Sequence, residues 1–176
     1  MITLEKPYSV RKSGIENEGI SFGIKKDGLA HIFNVLRNQL YSNKILAVIR
    51  EYSCNAYDAM VEAGTSDQKF VVTCPTFDDP CFKVRDFGSG LSPEGIAEVY
   101  AYYGESTKRQ SNAFIGQLGL GSKSGFAYGD NFVIKSFYRG TLYTYNAYLD
   151  ETKIGQILLM DEEDTSENDG VEIVIP

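Results

Sequence analysis

Histidine, cysteine and excess positive charge are all scarce in this 176-residue chain, and each shortage removes a class of chemistry. The one histidine, His31, has nothing near it in sequence to pair with, so it reads as a surface or packing side chain rather than a proton relay. Cys54, Cys74 and Cys81 are odd in number and form no CxxC pair, which sets aside zinc and dithiol motifs and suggests reduced thiols. Lysine and arginine total 17 against 24 aspartates and glutamates, a net charge of -7. The excess gathers at Asp161, Glu162, Glu163, Asp164, Glu167 and Asp169, so a surface that tracks nucleic-acid phosphates is not expected beyond a local basic patch. There is no secretory leader, and no apolar run approaches the roughly 18 residues that span a bilayer. A soluble, cytoplasmic protein without a transmembrane segment is expected.

The length fits one domain, residues 1–176, able to bury a single core. Residues 1–18 mix charge and turn formers and read as an N-terminal arm, followed by a short strand at 19–24. Leu29, Ile32, Phe33, Leu36 and Leu40 carry the spacing of an amphipathic helix that starts at Asp27 or Gly28. A second helix runs from a Ser42 or Asn43 cap to Gly64, with Ile45, Val48, Ile49, Tyr52, Ala56, Ala59 and Met60 as its apolar positions. Glu51, Asn55 and Asp58 stand at i, i+4 and i+7 and share one line along it, which an ordinary polar helix face would also explain. Strands are expected at 69–74 and 81–86, a short helix from Ser92 and Pro93 to Tyr100, and another over 122–127. The hairpin 131–139 and 141–149 turns at Gly140, and a strand at 154–160 leads into an acidic loop over 161–170 before a last strand at 171–175.

Two glycine clusters stand out within this frame. Asp86-Phe87-Gly88-Ser89-Gly90 follows a strand in which Phe82, Val84 and Asp86 point one way. A carboxylate on that buried face is costly unless donors meet it, and glycines directly after it suit backbone that approaches a ligand. Gly116, Gly119 and Gly121 precede the 122–127 helix, an arrangement in which free N–H groups bind phosphate. The polar interval between the clusters reads as a mobile lid over 103–122. A P-loop is excluded because Ser122 intervenes between Gly121 and Lys123, and a dinucleotide fingerprint is excluded because Ser124 stands where glycine or alanine is required.

The ordered set Glu51-x-x-x-Asn55-x-x-Asp58-Ala59, Asp86-x-Gly88-x-Gly90 and Gly116-x-x-Gly119-x-Gly121 resembles the GHKL superfamily, whose ATP site is the Bergerat fold. A narrower likeness, in SNKILAVIREYSCNAYDA, FKVRDFGSGLS, FIGQLGLGSKSGFAYGD and VEIVIP, is to the N-terminal domain of phage rapid-lysis RIIA-like proteins, from about Leu4 onward. The resemblance implies an α/β (α+β) two-layer sandwich, with a mixed, mostly antiparallel sheet and helices on one face. It implies that Asp86 accepts from the adenine amine, that Gly88 and Gly90 let the loop pass the base, and that Asn55 binds Mg²⁺. Glu51 would be the general base for the attacking water and Asp58 the pocket floor. Gly116, Gly119, Leu120, Gly121 and Ser122 would cradle the phosphates, with Lys108 and Lys123 neutralising charge.

Relatives often carry threonine where Val171 follows Gly170, and those that hydrolyse ATP tend to receive a cation from a following domain. The expected function is therefore Mg²⁺-dependent ATP binding with slow hydrolysis, used as a conformational switch in an infected bacterial cell. ATP or ADP, an ATP-dependent second copy and an unidentified protein are the implied partners. A nucleotide-gated interaction module with little turnover is the alternative, and kinase-like phosphoryl transfer a weaker one.

Overall fold

The computed structural model describes residue 34, residues 41–101 and residues 121–176. The expected arm at 1–18, strand at 19–24, helix carrying His31, most of the 103–122 lid, and Lys108, Gly116, Gly119 and Leu120 lie outside the described residues.

Helix α1, Lys44–Ala63, begins at Asn43, whose Oδ1 accepts from the Leu46 N–H at 2.9 Å, a cap worth about 1 kcal/mol. It ends at Gly64, whose φ of 72° lets its N–H turn back to the Met60 and Val61 carbonyls. Ala47, Val48, Tyr52, Ala56, Asp58 and Met60 are its buried residues. Ile45 and Ile49 depart from the expected buried stripe: they are 60% and 39% exposed, because the core contact is centred on Val48, Tyr52 and Ala56.

Strands β1 (Val71–Thr73), β2 (Phe82–Arg85), β3 (Asn131–Tyr138), β4 (Thr141–Leu149), β5 (Gly155–Asp164) and β6 (Gly170–Ile175) form one sheet in the order β1-β2-β6-β3-β4-β5. Every described pairing is antiparallel, so the parallel component implied by a mixed sheet is absent among the described residues. The fold is α+β. Val84, Phe132, Ile134, Tyr145, Ala147, Ile173 and Ile175 form one cluster with Val48, Tyr52, Ala56, Ile96, Phe126 and Ala127, which places the helices over that face. On neighbouring strands, Arg85 and Lys135 each stand opposite Glu172, and Lys135 reaches Glu172 at 3.6 Å. Alternation along the strands separates this charged row from the apolar one.

Between β2 and β3 lie α2 (Pro93–Ile96), a π turn (Ala97–Ala101), a 3₁₀ turn (Gly121–Lys123) and α3 (Gly125–Tyr128). The single helices expected at 92–100 and 122–127 are each divided, the first widening into the π turn and the second breaking at Ser124. The β3–β4 hairpin closes through Arg139 and Gly140, at φ 52° and 82°, as a two-residue turn whose twist suits the strands.

The expected acidic loop at 161–170 is largely strand. Asp161, Glu162, Glu163 and Asp164 pair with Thr144, Tyr143, Leu142 and Thr141, leaving a loop only at 165–169. β5 has β4 as its one described neighbour, so backbone pairing on one side suffices while the carboxylates stay in water. Their charge, with a bulge opposite Thr144 and Tyr145, discourages a further strand from adding there.

Candidate functional site

The ends of β2, β3 and β6 meet where Arg85 pairs with Glu172 and Phe137 with Gly170. Asp86 leaves β2 at this corner, 6% exposed, with its N–H donating to the Val171 carbonyl at 2.9 Å. Its Oδ1 accepts from the N–H of Gly88 at 2.9 Å and of Val171 at 3.1 Å. A buried carboxylate is thereby solvated by fixed backbone dipoles, the arrangement that makes its burial tolerable. Val171 lies directly against Asp86 and contributes its backbone N–H.

The glycines of this corner are needed for packing against the chain itself. A Cβ at Gly88 would lie 3.0 Å from the Ala59 carbonyl oxygen of α1. At Gly90, φ is +65° and a Cβ would lie 2.1 Å from the Phe137 carbonyl oxygen. Leu91 is fixed next: its N–H donates to Ser136 Oγ, which donates back to the Leu91 carbonyl, both at 2.8 Å.

Sequence reading missed Arg85, which points to the sheet face opposite Asp86 and is nonetheless buried. Its guanidinium lies 4.0 Å from the Phe137 ring centre and 4.9 Å from that of Phe87, and it donates to the Asp86 and Asn168 carbonyls. Burial pulls its pKa down from the ordinary value, while Asp86, Glu172, Glu167 and Asp169 oppose that pull. One cation thus joins the Asp86 loop to the 165–169 loop. The nearby signal was Phe87; the other ring, Phe137, arrives from a distant strand.

The second group of residues lies on α1. A Cβ at Gly121 would stand 2.6 Å from Glu51 Oε2 and 3.7 Å from Asn55 Nδ2, so the 3₁₀ turn runs beside the Glu51–Asn55 face. One further turn along α1, Ala59 meets Gly88. Residues 51 to 59 span about 12 Å of helix, and the two glycine segments touch opposite ends of that span. Asp58 is fully buried in the same helix. Glu51 is held by Arg50 Nη2 at 2.5 Å and its side chain is 16% exposed.

Tyr52, read in sequence only as an apolar position, is the hinge pin of the 3₁₀ turn. Its hydroxyl donates to the Ser122 carbonyl at 3.1 Å and accepts from the Gly125 N–H at 3.0 Å. Burial raises its pKa well above the ordinary value.

Lys123, expected to neutralise phosphate, sits inside the chain among backbone and side-chain acceptors. It is 2% exposed, and its ammonium donates to the Val99 carbonyl of the π turn at 3.1 Å and to Ser122 Oγ at 3.3 Å. Desolvation pulls its pKa down to about 8. It also lines a cavity of about 480 Å³ with Ala97, Tyr100, Phe126, Phe132 and Ile157, which is bounded by none of Glu51, Asn55 or Asp86. A second cavity, about 460 Å³, opens beside Phe87 and Gly88 and is lined by Thr65, Gln68, Glu167, Asn168 and Asp169. Among the described residues no three histidine, cysteine or acidic side chains cluster as a metal site, and no helix is long and apolar enough to cross a membrane.

No family model matches the chain, and no curated protein matches it.

Proposed function

We propose that this chain is a Mg²⁺-dependent ATP-binding domain of the GHKL, Bergerat-fold class, related to phage RIIA-like proteins, that hydrolyses ATP slowly and uses the nucleotide as a conformational switch. The observation that carries this reading is the convergence on one helix: Gly121 abuts Glu51 and Asn55, and Gly88 abuts Ala59 one turn further on, beside the buried Asp86. Residues from three separate stretches of sequence thus meet along one face of α1, which supports a reading with a base at one end and phosphates at the other.

The donor set fits the implied groups. Asp86, already anchored through Oδ1 by two backbone amides, is a fixed acceptor of the kind an exocyclic amine requires. Mg²⁺ takes few protein ligands and keeps water and phosphate oxygens, so Asn55 as a single donor is compatible with it. When bound, that ion would neutralise phosphate charge. Glu51 would orient the attacking water and take its proton, with Arg50 setting the carboxylate's direction.

The Arg50–Glu51 pair also favours a second reading, a nucleotide-gated interaction module with little turnover, because Arg50 already occupies a carboxylate oxygen that would have to receive the attacking water's proton. Titration with ATP, ADP and a non-hydrolysable analogue, with and without Mg²⁺, tests the binding claim. Phosphate release under the same conditions separates the two readings. Absence of adenine-nucleotide binding by the folded chain refutes both.

A further inference from the structure

We infer that Lys123 is a positioning residue, a latch that fixes the π turn at Ala97–Ala101 to the Gly121–Lys123 turn and so sets the form of the phosphate end of the nucleotide site. The inference rests on the site reading above for its functional consequence, but not for the latch itself. Three bonds join three atoms in a closed set: Lys123 Nζ and Ser122 Oγ both donate to the Val99 carbonyl, at 3.1 and 3.3 Å, and Nζ also donates to Ser122 Oγ at 3.3 Å. A π turn replaces the i→i+4 bonds of an α-helix with i→i+5 bonds and occurs in short pieces, and here its Val99 carbonyl also accepts from side chains of the 121–123 turn.

The latched turn does not stand alone. Tyr52 binds Ser122 and Gly125 from the α1 side, and Gly121 abuts Glu51. α1, the π turn and the 121–125 segment are therefore one bonded unit, in which Lys123 supplies the charged link. Behind the link lies the cavity of about 480 Å³ bounded by Ala97, Tyr100 and Lys123, which leaves the π turn space to shift when the link is broken. Without the link, the 121–125 segment keeps its Tyr52 bonds to α1 but loses its tie to the π turn, so the placement of Gly121 beside Glu51 and Asn55 loosens. Lys123 acts in this scheme through Val99 and Ser122, without touching the nucleotide.

The test uses the full chain with Lys123→Met, Ser122→Ala and the double variant. In the absence of nucleotide, amide hydrogen exchange of residues 97–101 and 121–125 is expected to accelerate together by about tenfold in Lys123→Met, by less in Ser122→Ala, and no further in the double variant, since both donors share one carbonyl. With Mg²⁺ and ATP, turnover is expected to fall about tenfold while adenosine affinity stays within about twofold. Faster exchange confined to 121–125, with 97–101 unchanged, overturns the latch. So does loss of triphosphate affinity with parental exchange in the apo protein, the signature of a direct phosphate ligand. If Lys123→Met fails to fold, coupled exchange in Ser122→Ala decides the point. A parent that binds no adenine nucleotide refutes the site reading, while the apo exchange still decides the latch.

Discussion

Replacing Asp86 separates what the carboxylate does for the fold from what it does for a ligand. Its Oδ1 accepts two backbone N–H bonds, from Gly88 at 2.9 Å and Val171 at 3.1 Å, in surroundings that leave the residue 6% exposed. Hydrogen bonds to a charged group contribute about 1.5–3 kcal/mol each, and a buried amide left without an acceptor forfeits a similar amount. Asp86→Ala removes both, so a loss of about 3–5 kcal/mol is expected, tempered by any water that enters the vacated space. Asp86→Asn keeps an acceptor oxygen for both amides and loses only the charge assistance, about 1–2 kcal/mol. Both losses lie within the stability of an ordinary domain, so urea unfolding with an unchanged m-value reads them directly. For adenine nucleotides the order reverses. The asparagine presents an N–H₂ group where the exocyclic amine needs an acceptor, so the well-folded Asp86→Asn should bind ATP at least about tenfold more weakly by calorimetry. Equal stability of the alanine and asparagine variants would refute the structural argument. Parental ATP affinity in Asp86→Asn would remove Asp86 from the ligand.

Glu51→Ala is expected to leave ATP affinity within a few-fold and to cut phosphate release by roughly two to four orders of magnitude, and parental turnover would end its assignment as general base. Tyr52→Phe leaves the buried Gly125 N–H without its acceptor and should cost about 1–3 kcal/mol in urea unfolding; an unchanged midpoint contradicts the hinge-pin role. Gly121→Ala brings its methyl against Glu51 Oε2, the mobile end of a side chain, so the fold should survive while ATP weakens more than adenosine, and equal losses for the two would count against a phosphate-facing turn. Burial holds Lys123 at about 8 in the folded chain against 10.5, so between those values the unfolded chain binds the extra proton and stability rises with pH. The stability of the parent minus that of Lys123→Met should therefore climb on the order of 3 kcal/mol from pH 8 to 10.5, and a flat difference refutes the burial.

Much of the architecture was legible because local chemistry and tertiary contact agree. Asn43 and Gly64 bracket α1 as caps, and Arg139-Gly140 closes the hairpin between two aromatic, β-branched strands. Disagreements arise where a distant partner decides. Asp161 to Asp164 read as loop from charge alone, yet β4 offers them a pairing edge and water accepts their side chains. Arg85 carries no signal of its own in sequence, and its cover, Phe137, comes from a distant strand; the Lys123 ammonium likewise meets the Val99 carbonyl, more than twenty residues away in sequence. At Gly88 and Gly90, Ala59 and Phe137 occupy the space a Cβ would need, a requirement of the chain's own packing that sequence alone does not distinguish from a ligand's. Glycine signals a close approach without naming which partner approaches.

The two ends of the proposed site are built to different stiffness, and the difference bears on how a nucleotide could switch the chain. Asp86 is fixed by sheet-edge backbone bonds, Gly90 is pressed against β3, and Leu91 is bonded twice to Ser136, so the base end has little freedom to rearrange. At the other end, the 121–128 segment is three residues of 3₁₀ turn and four of α-helix on either side of Ser124, tied to its neighbours by the side chains of Tyr52, Ser122 and Lys123. A ligand shifts a conformational equilibrium only by the difference in its contacts with the two states. Under the proposed reading, adenosine contacts at a rigid base end would be alike in both states and would supply affinity without information. The third phosphate alone distinguishes ATP from ADP, and it would meet the end whose geometry rests on a few side-chain bonds and a π turn with a cavity behind it. Under the proposed reading, a switch driven by hydrolysis would act through Val99, Lys123, Ser122 and Tyr52, because among the described residues of the site this is the part held by side-chain bonds rather than by the sheet.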